Sequence, residues 1–158
     1  NHYSHLGHLI NSDFTDDEEI IHRRNSFVGQ VNNLLCFISK QDILIKLKIF
    51  QSYCSSFYGC ELWSLNNRNI DVFCIAWRKA LRRVLNLPNN SHSYLLPITC
   101  CSLPFLDEIT KRCSSYITSC LFSTSSLVQS VSRYSVLYGK HSSVLGKNAL
   151  MCLSTLLY

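Results

Sequence analysis

Asn69–Pro88, NIDVFCIAWRKALRRVLNLP, reads as one amphipathic helix, with Asn69 as its N-cap and Pro88 as its stop. At about 100° per residue, Ile70, Phe73, Ala76, Trp77, Ala80, Leu81 and Val84 share one broad face. The opposite face carries Arg78, Lys79, Arg82 and Arg83, and Asp71 is the only acid in the stretch. A helix that buries an aromatic stripe and holds up four cations is suited to lie between a protein core and an anion.

Working upstream, Asp42 is placed to cap a helix in which Ile43, Leu47, Phe50, Cys54 and Phe57 recur at helical spacing. Lys46 and Lys48 lie off that stripe and add to the basic surface. Gly59 permits a bend or a close approach, Glu61-Leu62-Trp63 continues the apolar surface, and residues 66–69 form a polar turn. Before these, Thr15-Asp16-Asp17-Glu18 reads as a capping box for a helix running to about Ser39. Its inward residues are Ile20, Phe27, Val31, Leu34, Leu35 and Ile38. The acids Asp13, Asp16, Asp17, Glu18 and Glu19 suit the positive end of that helix better than a metal or acid–base site.

Residues 1–10, NHYSHLGHLI, read as strand-turn-strand around Leu6-Gly7. His2, His5 and His8 do not form a metal set. On a strand His5 points away from the other two, and no carboxylate or Cys joins them nearby. The chain opens without Met and in mid-element, which predicts a fragment. Downstream of Pro88 a turn at 89–91 and a short piece at Leu95–Pro97 precede a helix from Phe105 to Phe122, opened by Pro104. Nine of the residues from Ser114 to Ser135 are Ser, which weakens helix propensity there. Two further short helices are expected around Leu127–Leu137 and Lys147–Leu157.

Composition sets the frame. The 158 residues are enough for one domain, 47% are hydrophobic and 16% charged, and only 3 Pro and 5 Gly interrupt the chain. That favours long helices over alternating strands. The net charge of +5 is unevenly placed: residues 31–90 hold eight Lys and Arg against three acids, whereas residues 1–30 hold two against five. A polyanionic partner such as nucleic acid fits best, ahead of an anionic membrane. The nine cysteines are odd in number and form no CxxC pair, and Cys36, Cys54 and Cys74 sit in or beside helical stripes. With no signal segment and no 18-residue apolar run, reduced thiols in cytoplasm or nucleus are expected.

Several stretches together resemble one family. SHLGHLI is similar to the last palm motif of reverse transcriptases. SFVGQVNNLLCFI, KIFQSYCSSFYGCELW and AWRKALRRVLNLP resemble, in unchanged order from about His5 to Pro104, the region after the palm in LINE-type, jockey-like non-LTR retrotransposon polymerases. The resemblance implies the end of a palm at 1–12, a helical thumb at 13–104 and a C-terminal helical extension at 105–158. The fold class is then mainly α, a helical bundle preceded by a short β-hairpin. It further implies that His5, Leu6 and Gly7 form the turn that steadies the primer end, with His5 standing where the family usually carries an aromatic residue. Arg78, Lys79, Arg82 and Arg83, supported by Lys46 and Lys48, would hold an RNA–DNA or DNA duplex through its phosphates. The family's paired catalytic Asp lie upstream of the Leu-Gly turn and are not in this chain. Asp16-Asp17 follows the turn at a helix start and is no substitute for carboxylates converging on two metals. The chain alone should therefore be catalytically silent and bind no cofactor, Mg²⁺ belonging to the missing palm, which with the fingers would be its partner in the same polyprotein. Two other readings stay open: a stand-alone helical adaptor for nucleic acid or protein, and a membrane-surface or calmodulin-target helix around Trp77. The second of these competes with the bundle for the same apolar face.

Overall fold

Helical periodicity dominates the chain, and the computed structural model follows it. Residues 2–5, 7–13 and 15–155 are described. Among them the order is β1 (His2–His5), β2 (His8–Asn11), α1 (Asp17–Ile38), α2 (Ile43–Cys54), a 3-10 turn at Cys60–Leu62, and α3 (Arg68–Val84). Then come α4 (Leu95–Thr99), α5 (Phe105–Leu121), α6 (Ser126–Leu137) and α7 (Val144–Thr155). The expected mainly α fold with an N-terminal hairpin is the observed one. Contacts divide it into two compact units: Asn1–Tyr58 with Arg68–Phe105, and Gly59–Asn67 with Leu106–Tyr158.

In the first unit, β1 and β2 pair antiparallel, with Tyr3 opposite Ile10 and His5 opposite His8. Gly7 supplies the positive φ of 80° that the tight connection needs. Leu6 lies outside the described residues. The hairpin is fastened to α1 by Glu19, which is only 3% exposed. Its carboxylate accepts the Leu9 N–H at 2.9 Å and the Arg23 Nε–H at 2.6 Å, and lies 3.3 Å from His8 Nδ1. The acidic cluster thus contains residues whose work is tertiary, Glu19 here and Asp17 towards α3. The capping box is not formed: α1 starts one residue later, with Asp16 at the N-cap and no side-chain cap bond. Thr15 turns back instead, its hydroxyl accepting from Asn11 Nδ2 at 2.9 Å.

Helix α1 buries Ile20, Phe27, Val31 and Ile38, whereas Leu34 and Leu35 are only half-buried. Residues 39–42 connect it to α2, and Asp42 caps as expected, accepting the Leu44 N–H at 2.8 Å. Leu47, Phe50 and Cys54 turn inward and Ile43, at the first turn, does not; the helix ends at Cys54, so Phe57, expected on its stripe, is buried from the loop beyond it. Helix α3 runs beside α1 in the same direction. Near their starts Asn69 Nδ2 donates to Asp17 Oδ1 at 2.7 Å, and towards their ends the Arg83 guanidinium donates to Asn32 Oδ1. Asn69 is therefore not the N-cap but lies inside the first turn, bridging two helices.

The other end of α3 also differs from the reading. The helix stops at Val84, before Pro88, because Asn86 adopts the left-handed conformation with φ 54°. The Leu87 N–H then reaches the Arg82 carbonyl at 2.7 Å and the Asn86 N–H the Arg83 carbonyl at 3.3 Å, the Schellman pattern. Ile70, Phe73, Trp77, Ala80, Leu81 and Val84 are all buried as the spacing requires, and Ala76 is half-buried.

The second unit is built on a different contact. Gly59, at φ 80°, starts the 3-10 turn, after which the backbone extends at Trp63. Asn148 of α7 is buried and grips that segment with both ends of its amide. Nδ2 donates to the Trp63 carbonyl at 2.7 Å, and Oδ1 accepts the Leu65 N–H at 3.0 Å. Helix α5 turns Ile109, Cys113 and Ile117 inward at steps of four. The Ser-rich stretch is helical except at residues 122–125, with Thr118 and Ser119 hydroxyls bonding back to the carbonyls of Ser114 and Ser115 at 2.9 Å. Ser143 caps α7 by accepting the Gly146 N–H at 3.0 Å. Leu156 and Leu157, expected at the end of that helix, lie outside the described residues.

None of the nine cysteines is disulfide-bonded. Burial pushes the Cys54 and Cys100 thiols up to about 11 and, with help from the neighbouring Glu61 charge, Cys60 to about 12. They behave as small core hydrophobes. No helix among the described residues is long and apolar enough to cross a membrane.

Two substitutions test the units separately. Trp77→Ala should destabilise the protein by about 3–5 kcal/mol in chemical unfolding, as large aromatic truncations in cores do. A change of about 0.5 kcal/mol, typical of surface sites, would mean that α3 is turned the wrong way. A Cβ at Gly146 would stand 2.6 Å from the Ser135 carbonyl oxygen and 2.7 Å from that of Gly139. Both contacts are to backbone, which cannot swing aside. Gly146→Ala should therefore cost about 1–3 kcal/mol, measured by thermal unfolding, although Ala is the better helix former.

Candidate nucleic-acid interface

With the inner face of α3 held in the core, its outer face is fixed, and the expected cations can be placed one by one. They do not form a single patch. On a helical wheel Arg78 and Arg82 fall on one flank, Lys79 and Arg83 on the other. Arg82 is committed to the fold: its guanidinium donates to the Ser91 carbonyl at 2.9 Å and 3.2 Å and to Ser93 Oγ at 2.8 Å. These bonds latch the segment after Pro88 onto the helix that precedes it. Arg83 is exposed and holds Asn32 with one nitrogen, leaving its remaining donors outward. Lys79 is exposed, Arg78 is half-buried, and neither bonds to another protein group among the described residues.

The supporting lysines separate as well. Lys48 is exposed, as expected. Lys46 is only 2% exposed, which corrects its placement on the outer surface. It lies one turn before Phe50, on the flank of the face that α2 buries, where an alkyl stem packs readily. At the hairpin, His5 is exposed and its ring lies 6.3 Å from that of Tyr3, nearly parallel to it. The Gly7 carbonyl accepts from Arg23, so the turn's backbone is tied to α1.

One feature of this surface was not anticipated. Between α1 and α3 runs a groove of about 380 Å³. Its floor is apolar: Val28 and Val31 from α1, and Val72, Ile75, Ala76 and Ala80 from α3. Its rim carries Arg24, Lys79 and Arg83, and no acid lines it. One wall is visible in the sequence, where Val72, Ile75 and Lys79 recur at helical steps on the outer face of α3; the other is supplied by packing against α1.

Among the described residues no group of His, Cys, Asp and Glu is placed to hold a metal ion. The chain matches no protein-family model, no curated protein and no solved structure.

The division among the cations is measurable without any ligand. Arg82→Gln should lower stability by about 1 kcal/mol, since it breaks bonds from a charged but partly solvated donor. Lys79→Gln should fall within about 0.5 kcal/mol of wild type in the same urea titration. Equal losses for the two would contradict the assignment of Arg82 to the fold and Lys79 to the surface.

Proposed function

We propose that the chain is the thumb end, with a remnant of palm, of a non-LTR retrotransposon reverse transcriptase. Its task would be to hold the template–primer duplex, RNA–DNA or DNA, by the phosphate backbone. The observation that carries this reading is the arrangement of α3: its inner face is held in the core, and its outer flanks carry Arg78 on one side and Lys79 and Arg83 on the other, with Asp71 as the helix's only acid. Backbone contacts of this kind read no sequence, which suits an enzyme that copies any template. The stretches that resemble the family support it by where they fall. AWRKALRRV lies within α3, FYGCELW covers the turn before it, and Gly7 stands in the connection between the two strands.

On this reading catalysis belongs to palm carboxylates and Mg²⁺ outside this chain, with palm and fingers as its protein partners and cytoplasm and nucleus as its compartments. The second reading, a protein-interaction adaptor, draws on α6. Leu127, Val131, Tyr134 and Tyr138 form one exposed apolar stripe there, wider than a solvated helix needs.

Salt dependence separates the two. Each phosphate neutralised releases condensed counterions, so log affinity for duplex should fall with log salt by about 0.9 per contact, somewhat less for a hybrid. The variant Arg78→Gln/Lys79→Gln/Arg83→Gln keeps helix propensity nearly unchanged and leaves the Arg82 latch intact. It should remain folded, lose affinity alike for unrelated duplexes, and show a slope smaller by about 2–3. An unchanged slope would remove these residues from the interface.

A further inference from the structure

The α1–α3 groove is built for something other than phosphate alone. A polyanion track needs cations and water, whereas this floor is six aliphatic side chains, with Val72 and Ile75 exposed at 41% and 46%. The small residues Ala76 and Ala80 set its depth, and no aromatic ring offers a base a stacking surface. Over this floor stand three cations from both walls and no acid. From Val72 to Arg83 the wall is about 16 Å long at 1.5 Å per residue, about three helical turns.

We propose that this groove docks an acidic amphipathic helix of a protein partner, its apolar stripe on the floor and its carboxylates at Arg24, Lys79 and Arg83. Charge complementarity selects that occupant. An apolar helix without acids would leave three cations crowded at the rim, and an anion without an apolar face would leave the floor wet. Arg83 reaches Asn32 of α1, so one wall of the groove is tied to the other before any partner arrives. Because Lys79 and Arg83 also belong to the proposed duplex surface, docking would compete with duplex. That consequence rests on the function proposed above; the docking itself does not.

The test uses the full chain and a fluorescent helical peptide with Leu at i, i+3, i+4 and i+7 flanked by Glu. A second peptide has Lys in place of Glu. The chain should bind the Glu peptide and discriminate against the Lys peptide by at least about tenfold. Ile75→Ser and, on the other wall, Val28→Ser should each weaken the Glu peptide several-fold and leave duplex affinity within about twofold. Both side chains are partly exposed, and circular dichroism verifies that the variants are folded. The variant Lys79→Glu/Arg83→Glu should exchange the preference, taking the Lys peptide over the Glu peptide. If the two peptides bind equally, or the floor variants bind the Glu peptide like wild type, the proposal fails. It fails too if the chain self-associates in sedimentation and Ile75→Ser abolishes this, since the occupant is then a second copy, or if the groove takes laurate and not the peptide. Absence of duplex binding by the wild-type chain would sink the polymerase reading and leave the peptide result standing.

Discussion

Five phenylalanine rings hold the first unit together. Phe73 of α3 lies 5.4 Å from Phe27 of α1, 5.8 Å from Phe57 and 4.4 Å from Phe105, and Phe27 also meets Phe50 of α2 at 6.1 Å. Each ring comes from a different segment, so no two segments can shift independently. The cluster is firm enough to hold Phe57 at a φ of 38°, a left-handed conformation that a bulky residue rarely accepts. Edge-on packing of Phe57 against Phe105, at 4.9 Å and 88°, supplies part of what that conformation costs. Everything on the outer surface of α3 inherits its direction from this packing.

That inheritance sorts residues which look alike in the sequence. Arg82 and Arg83 are neighbours of the same type, yet a step of 100° sends one to a backbone carbonyl at Ser91 and the other to the rim of a groove. Lys46 and Lys48 part in the same way, one covered and one solvated. A count of cations therefore overstates the surface available to an anion. What remains is narrower and mixed with aliphatic side chains.

Elements and inward faces were legible in the sequence because they depend on periodicity, which is local. The buried stripe of α3 follows from it, and Ser-rich α6 falls where it was expected despite weak propensity. Ends were less legible, because capping is decided by a few competing hydrogen bonds. Asn86 could adopt the left-handed conformation and end α3 before Pro88 had any say, and Asn69 found a partner on another helix. The groove was not read at all, since it exists only when Arg24 and Val28 of α1 are brought beside Ile75 and Lys79 of α3. Nothing in either stretch alone specifies that juxtaposition.

The clasp at Glu19 gives the hairpin a standing of its own. Two strands of four residues are too small to persist unaided, and their hold on α1 runs through one carboxylate and the Arg23 beside it. The phenylalanine cluster includes no residue of β1 or β2. Local opening of the strands would therefore not require the helices to come apart. Opening of the N-terminal end would break the Leu9 and His8 contacts to Glu19, the Arg23 bond to the Gly7 carbonyl and the His8–Tyr58 ring contact, and would leave the phenylalanine cluster untouched.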